Sequence, residues 1–323
     1  MLIWIIDEEW SEYEMEKEIL SKEFPGVEIR HSTYDYKKDL EEFGYKADGI
    51  LAQIYADINA ELIEKLENCK GIAVYGGGFD RVDLEACKAK GIHVTNIQGY
   101  CIEDLADYVL AAIYNWNKNL CERAATTKDF VSKGLWGAPT IEHREHRISA
   151  QTLFVVGFGT IGKEVAKKAR AVGMNIIAYD EFLSAEEIEK HGARKVEWEE
   201  GFKEADFVSI NLKGCEENRD KITAKEFDLM KPTAYFINTA RGLIVDEDAL
   251  IDAVKSKKIR GALVDVIKDE PPTADRPILS VENLMVTPHN SYISVESMNS
   301  LKEFAIGNLI SMIRGETPRD PVC

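Results

Sequence analysis

A glycine-rich segment between two apolar runs is the feature that most constrains the fold of this chain. The pattern GxGxxG occupies residues 157–162 and directly follows the apolar run 152–156. A helical pattern comes next, and a second apolar run, 175–179, ends at Asp180, 18 residues past the last glycine. A strand, a glycine turn, a helix, a second strand and an acid in this order predict a βαβ unit that binds a dinucleotide.

Each position of this motif has a physical role. Gly157 permits a tight turn, Gly159 lets a pyrophosphate approach the backbone, and Gly162 lets the helix pack close to the strand. The phosphates would lie at the helix N-terminus, where free N–H groups and the helix dipole favour negative charge. Asp180 is placed to accept hydrogen bonds from the adenosine ribose and would repel a 2′-phosphate, so the predicted cofactor is NAD. The alternative is a glycine-rich turn in another kind of α/β protein.

Length and charge limit the classes of protein to consider. The 323 residues are too many for one ordinary core and suit two domains. The net charge of −17 argues against nucleic acid or an anionic membrane as a partner. A negatively charged substrate would therefore need a local positive site.

The cysteines, histidines and N-terminus indicate a cytoplasmic protein without a metal site. The six cysteines form no CxxC pair, which fits reduced thiols, and the six histidines form no HExxH motif. The apolar run 1–6 is too short for a signal peptide and leads into acidic residues. No apolar run approaches the roughly 20 residues that a membrane span needs.

Alternating strand and helix patterns organise the chain into two α/β regions. The first hundred residues alternate in this way but carry no nucleotide fingerprint. One long helix is predicted over 103–127, strands and helices resume from 152 to 288, and residues 293–314 are again helical. The chain therefore crosses between domains near residue 100, the last helix is able to return to the first domain, and a cleft between the domains is the expected site.

Three later segments carry chemical groups at predicted strand ends. Arg241 follows the apolar strand 236–238, Glu270 follows the strand that reaches Asp265, and His289 ends the strand near 286. Open α/β sheets bind ligands at the carboxyl ends of their strands.

These three residue types suit hydride transfer at an alcohol carbon. A histidine takes the hydroxyl proton near neutral pH, and a carboxylate fixes its tautomer and favours its protonated form. A guanidinium holds a substrate carboxylate with two parallel hydrogen bonds and polarises the carbonyl. Taken singly, each residue has a simpler interpretation: a structural histidine, a surface arginine or a loop acid.

With these residues in place, the chain resembles the D-isomer-specific 2-hydroxyacid dehydrogenase family. The resemblance covers roughly residues 45–300 and rests on the segments 75–83, 157–162, 238–242, 265–271 and 287–289. The segment 99–107 is closest to the C-terminal-binding-protein-like branch, some of whose members are transcriptional corepressors. Phe154 departs from the family, which has a glycine at this position before the fingerprint.

The resemblance implies a fold and an assembly. It implies two Rossmann-like or flavodoxin-like domains with doubly wound parallel sheets. A substrate-binding domain, 1–100 plus 290–323, would hold an inserted NAD-binding Rossmann domain, 101–289. A homodimer would form through the helix at 103–127.

The resemblance also implies roles for individual residues. Arg241, Glu270 and His289 would be the catalytic set, and Arg241 with the amides of Gly77 and Gly78 would hold the substrate carboxylate. Gln53 and Tyr55 would line the substrate site, and Gln53, which replaces an arginine of some relatives, makes a phosphorylated or dicarboxylic substrate less expected. Cofactor contacts would come from Gly157, Gly159, Thr160, Ile161, Gly162, Asp180, Leu212, Thr239, Ala240, Asp265, which would bond the nicotinamide carboxamide, and His289.

The first hypothesis for function is therefore an NAD-dependent oxidoreductase that interconverts a 2-keto acid and a D-2-hydroxy acid. NADH would deliver hydride to the keto carbon, and His289 would donate the proton. The second hypothesis is an NAD(H)-sensing interaction protein that resembles the corepressor relatives. A third is an NAD-bound paralogue that binds cofactor without turnover. NADH oxidation across a panel of keto acids separates the first from the others.

Overall fold

Two compact units make up the chain. The computed structural model describes residues 1–6, 10, 12–32, 36–53, 56–141 and 145–323. The first unit combines both ends of the chain, Met1–Cys101 and Ile293–Cys323, and the second is continuous from Ile102 to Tyr292.

The first unit begins with alternating strands and helices. Its five strands form one parallel sheet in the order β2-β1-β3-β4-β5. In chain order the elements are β1 (Leu2–Ile5), α1 (Glu14–Glu23), β2 (Glu28–His31), α2 (Lys37–Glu42), β3 (Gly49–Ala52), α3 (Ala60–Lys65), β4 (Gly71–Val74), α4 (Leu84–Lys90) and β5 (His93–Thr95).

The second unit contains a larger parallel sheet, with seven strands in the order β12-β11-β10-β9-β6-β7-β8. Its elements are α5 (Ile102–Lys118), α6 (Leu120–Ser132), β6 (Thr152–Val156), α7 (Thr160–Ala171), β7 (Asn175–Tyr179), α8 (Ala185–Glu189), β8 (Arg194–Lys195), α9 (Trp198–Glu204), β9 (Phe207–Ile210), α10 (Ala224–Leu229), β10 (Tyr235–Asn238), α11 (Glu247–Lys255), β11 (Gly261–Val264) and β12 (Leu284–Val286). The two parallel sheets with their helices confirm the predicted α/β class.

The last helix, α12 (Val295–Arg314), belongs to the first unit and packs against β3 and β4. Glycines on these strands allow the close approach. A Cβ on Gly49 would lie 2.8 Å from Leu309 Cδ1, and one on Gly71 would lie 2.7 Å from Met312 Sδ. The sequence predicted that the last helix is able to return to the first domain. Glycines at positions 49 and 71 of the strands that it covers make room for it.

The predicted single helix over 103–127 is wrong, because the chain breaks at Asn119. This residue adopts the left-handed conformation (φ 49°, ψ 43°) between α5 and α6. Asparagine tolerates this conformation better than most residues, and the apolar pattern of the region contains no signal for the break. The apolar stripe of α5 is buried as expected, whereas in α6, which the structure describes in full, no residue is buried.

The central strands of the large sheet, β6, β9, β10 and β11, are buried on both faces, which explains their continuous apolar sequences. Along β6, Leu153 and Val155 join one core cluster, while Phe154 and Val156 join the cluster on the other side. Phe154 is fully buried and meets Phe202 edge to face, with ring centroids 5.2 Å apart.

Gly201 of α9 makes room for the Phe154 ring. A Cβ on Gly201 would lie 2.2 Å from Phe154 Cζ. The phenylalanine at position 154 therefore fits because the facing residue of α9 is a glycine, which has no side chain.

Gly201→Ala is expected to lower the free energy of unfolding by about 1–3 kcal/mol, because the new methyl group overpacks the core. Urea unfolding followed by tryptophan fluorescence measures the change, and Trp198, one of the five tryptophans, contacts Phe202 in this core. Gly307→Ala is the matched control, since a Cβ on this helical glycine meets no atom within 4 Å. Equal effects of the two substitutions would contradict this interpretation of the Phe154 contact.

No described helix is long and apolar enough to cross a membrane.

Candidate active site

The glycine loop after β6 has the shape that a dinucleotide requires. Gly157 has a φ of +88°, and a Cβ there would lie 2.7 Å from the Asn211 carbonyl oxygen. A Cβ on Gly162 would lie 2.2 Å from the Gly157 oxygen, whereas one on Gly159 would meet no atom within 4 Å. Two glycines are thus needed for packing, and the third leaves open space beside the backbone.

The N-terminus of α7 is suited to a phosphate. Gly159 is its N-cap residue and provides no side-chain hydrogen bond to the first turn. The first amides of a helix have no partner within the helix and carry its positive dipole end. Thr160 and Ile161, both predicted cofactor contacts, lie in this first turn. The residues present therefore fit a pyrophosphate at this place.

Asp180 follows β7 and is fixed by backbone amides. One carboxylate oxygen accepts from Phe158 N at 2.8 Å, and the other accepts from Phe182 N at 2.9 Å and Leu183 N at 3.2 Å. The Phe158 bond ties the acid to the glycine loop. A carboxylate has about four acceptor positions, so Asp180 is oriented and keeps capacity for a ribose hydroxyl.

The other predicted cofactor residues follow neighbouring strands. Leu212 comes after β9, Thr239 and Ala240 come after β10, and Asp265 comes directly after β11. In the sheet, β6 lies between β9 and β7. The strands β7 and β8 are added on one side of β6 and the strands β9 to β12 on the other, so the strand order reverses at β6. Open α/β sheets bind ligands at such a switch point, and these residues lie at the carboxyl ends of the strands around it.

His289 and Glu270 form the central polar pair of the second unit. His289 Nδ1 lies 2.6 Å from Glu270 Oε2, and both side chains are largely buried. The other carboxylate oxygen, Oε1, accepts from Ile267 N at 2.8 Å. Burial raises the pKa of Glu270, but the hydrogen bond and charge of His289, the Ile267 amide and the charge of Arg241 outweigh it and hold that pKa below its ordinary value. Glu270 is therefore ionised at neutral pH.

Arg241 lies at the end of β10, the neighbour of β11 in the sheet. Its Nη1 donates to the Ala240 carbonyl at 2.8 Å, and its own carbonyl accepts from Asn238 Nδ2 at 3.0 Å. Gly242 packs the arginine turn directly on the loop that leads to Glu270, because a Cβ there would lie 2.0 Å from the Ile267 carbonyl. The arginine turn and the glutamate loop are therefore in backbone contact.

Asp265 is 1% exposed, and its carboxylate accepts hydrogen bonds from the segment that carries His289. Oδ1 accepts from the Thr287 hydroxyl at 2.6 Å and from Asn290 N at 3.1 Å, and Oδ2 accepts from Ser291 N at 2.9 Å. The Tyr108 hydroxyl lies 2.5 Å from Thr287 Oγ1. The sequence predicted no role for Tyr108, which adjoins the apolar stripe of α5. Thr287 was noted only as the first residue of the segment 287–289.

The predicted substrate residues Gly77, Gly78 and Gln53 lie in the first unit. The two glycines follow β4, in a loop held by a hydrogen bond of 2.8 Å from Asn96 Nδ2 to the Gly77 carbonyl. Gln53 follows β3 and is 3% exposed. Tyr55 lies outside the described residues.

Within the described part of the chain, no three His, Cys, Asp or Glu side chains are grouped so that they could hold a metal ion. All six cysteines are free thiols.

The chain is similar to several known proteins. Residues 117–291 match the family described as D-isomer specific 2-hydroxyacid dehydrogenase, NAD binding domain. A glyoxylate reductase of Thermococcus litoralis is 34% identical over 278 residues, which cover 84% of this chain and 82% of the relative.

The chain is also similar to solved structures of dehydrogenases and of a reductase. The D-lactate dehydrogenase from Aquifex aeolicus, complexed with NAD and lactic acid, superimposes with a TM-score of 0.83 at 28% identity, covering 98% of this chain and 96% of that one. An acyclic imino acid reductase in complex with NADPH and D-Arg has a TM-score of 0.84 at 25% identity, with both chains fully covered.

The chain therefore belongs to the D-isomer-specific 2-hydroxyacid dehydrogenase family. It is an oxidoreductase of this family, and its second unit contains the NAD-binding domain.

Proposed function

We propose that this protein reduces a 2-keto acid to a D-2-hydroxy acid with NADH, and catalyses the reverse reaction with NAD, using His289 as the acid/base. The observation that carries the proposal is the 2.6 Å contact between His289 Nδ1 and Glu270 Oε2. It supports the proposal because a carboxylate on one ring nitrogen fixes the tautomer and leaves proton exchange to the other. The ionised Glu270 also favours the imidazolium that would donate the proton.

Other steps of the reaction would be carried out by residues of this chain. When bound, the reduced nicotinamide supplies the hydride. His289 would donate its Nε2 proton to the substrate oxygen during reduction and take it back in the reverse reaction. Arg241 would bind the substrate carboxylate and polarise the keto group, since a guanidinium offers parallel donors. The amides of Gly77 and Gly78 would bind the same carboxylate.

NAD is the proposed cofactor in preference to NADP because of Asp180. Its carboxylate is oriented by three backbone amides, and its negative charge would repel a 2′-phosphate. Gln53 at the proposed substrate site carries no charge, so we propose a substrate with a single carboxylate.

The test is the oxidation of NADH and of NADPH by the wild-type protein across a panel of 2-keto acids. We expect turnover with at least one monocarboxylic keto acid and higher kcat/KM with NADH than with NADPH. NADH binding without turnover of any keto acid would contradict the proposal and would leave the NAD(H)-sensing protein and the NAD-bound paralogue as the remaining hypotheses.

We also propose that the protein is a homodimer, as predicted through the region 103–127, and that α6, which begins within this region, provides the contact. This helix has no buried residue within the described chain, although it carries apolar side chains. Leu120 is 64% exposed and Val131 is 54% exposed. A second copy of the chain would remove this apolar surface from water.

Light scattering of the wild-type protein is expected to give the mass of two chains. The double variant Leu120→Lys/Val131→Lys is expected to give the mass of one chain. Lys128→Ala, at a charged position on the same helix, is the control and should remain dimeric. A wild-type protein with the mass of a single chain would refute the dimer.

A further inference from the structure

His289 is held in an uncommon backbone conformation. Its φ is +50°, in the left-handed region that residues other than glycine rarely adopt. Such a conformation persists where surrounding contacts enforce it. His289 N donates to the carbonyl oxygens of Asp265 and Thr287, both at 2.9 Å. The turn that presents the imidazole is therefore defined by Thr287 and by Asp265, the residue that directly follows β11.

The Asp265 carboxylate is bonded on both sides of this turn. Thr287 precedes His289 by two residues, and Asn290 and Ser291 follow it directly. A buried carboxylate needs such hydrogen bonds, because an isolated charge in the interior is costly. The hydrogen bonds of Asp265 therefore hold the chain on both sides of His289.

The hydroxyl groups of Thr287 and Tyr108 extend this network to α5. The Thr287 hydroxyl has one proton, which it donates to Asp265 Oδ1. The Tyr108 hydroxyl must then donate to Thr287 Oγ1. Burial raises the pKa of Tyr108, the hydrogen bond with Thr287 opposes this rise and the negative charge of Asp265 adds to it, so the phenol keeps the proton that the bond uses.

The network lies where the chain enters and leaves the second unit. Helix α5 begins at Ile102, the first residue of the unit, and Ser291 is one residue from its end at Tyr292. Tyr108 is on the second turn of α5. The Asp265 carboxylate is therefore connected through Thr287 to α5 at the start of the unit, and it bonds directly to residues 290 and 291 near the end of the unit. His289 lies between Thr287 and these two residues.

We propose that Tyr108 and Thr287 are positioning residues that act through Asp265 to hold His289 against Glu270. Neither hydroxyl needs to touch substrate or cofactor for this role. The proposal rests on the function proposed above for His289, and it assigns part of the catalytic rate to two hydroxyl groups that bond to neither His289 nor Glu270.

Thr287→Val removes the hydroxyl and keeps the shape of the side chain, and Thr287→Ser keeps the hydroxyl. We expect Thr287→Val to lower kcat by about tenfold or more with KM for NADH nearly unchanged, because small displacements of catalytic groups are costly. Thr287→Ser should restore most of kcat. Tyr108→Phe should lower kcat by a smaller factor, about two- to fivefold, while Tyr114→Phe, at a more exposed tyrosine of the same helix, should leave kcat unchanged.

A spectroscopic measurement tests the proposal without any turnover. A short hydrogen bond between His289 and Glu270 should give a downfield proton resonance in the full-length protein, identified by its absence from His289→Gln. Thr287→Val should broaden or shift this resonance, and Thr287→Ser should retain it. Because no keto acid is required, this result stands even where the panel of keto acids gives no turnover.

The opposite pattern would overturn the proposal. If Thr287→Val lowers the melting temperature but leaves both kcat and the resonance at their wild-type values, the hydroxyl groups are structural only. If Thr287→Val does not fold, Tyr108→Phe provides the test instead. A Tyr108→Phe variant with both kcat and the resonance at their wild-type values would then overturn the proposal.

Discussion

His289→Gln is expected to lower kcat for keto-acid reduction by about 10²–10⁴-fold, the usual contribution of a positioned general acid. Glutamine retains polarity and approximate size but offers no proton of suitable acidity to the substrate oxygen. The Glu270 carboxylate, which lies 2.6 Å from His289 Nδ1, would lose the imidazole that it orients. NADH affinity should change much less than kcat, because the glycine loop and Asp180 would hold most of the cofactor, and His289 is only one of the predicted cofactor contacts.

The matched control is His93→Gln, at an exposed histidine of β5. Steady-state kinetics with NADH and cofactor titration by fluorescence separate the two effects. We expect His93→Gln to match the wild type in both measurements. A His289→Gln variant that retains more than a tenth of kcat would refute the assignment of His289 as the acid.

Arg241→Lys is expected to lower kcat/KM for the keto acid by about 10²-fold or more, comparable with the loss of one oxyanion donor. Lysine keeps the charge but loses the planar fork that pairs with a carboxylate through two bonds. The arginine is held in place by its bond to the Ala240 carbonyl and by the backbone packing of Gly242 on Ile267. A lysine ammonium cannot reproduce both anchoring and bidentate recognition.

Arg219→Lys is the control for this substitution. Arg219 is exposed and pairs with Glu216 across 2.7 Å, and exposed ion pairs of this kind contribute little. Kinetics should place Arg219→Lys within about twofold of the wild type. If Arg241→Lys also falls within this range, the guanidinium has no part in substrate recognition.

Much of the NAD-binding unit was predictable because its strands are buried on both faces. The predicted runs 152–156 and 175–179 coincide with β6 and β7, since a strand in a covered parallel sheet is a continuous apolar run with glycine or an acid at its end. The strand-end positions of Arg241, Glu270 and His289 were also predictable. Their proximity follows from the order β10, β11, β12, in which consecutive strands are neighbours.

Other features depend on contacts that no local pattern records. The break at Asn119 interrupts a region whose apolar period continues up to it, and only the backbone angle of one residue reveals it. The bond between Tyr108 and Thr287 joins residues 179 positions apart. The space for Phe154 comes from Gly201 on another element. In each case the determining partner is remote in sequence, so composition and periodicity around one residue do not identify it.

The configuration of the product tests the proposed reaction most directly. A prochiral 2-keto acid that the wild-type protein accepts is reduced with NADH, and the hydroxy acid is resolved by chiral chromatography. We predict the D enantiomer alone, in an amount equal to the NADH consumed, and almost none from His289→Gln under the same conditions. An L or racemic product, or equal yields from the two proteins, would contradict D-specific reduction through His289.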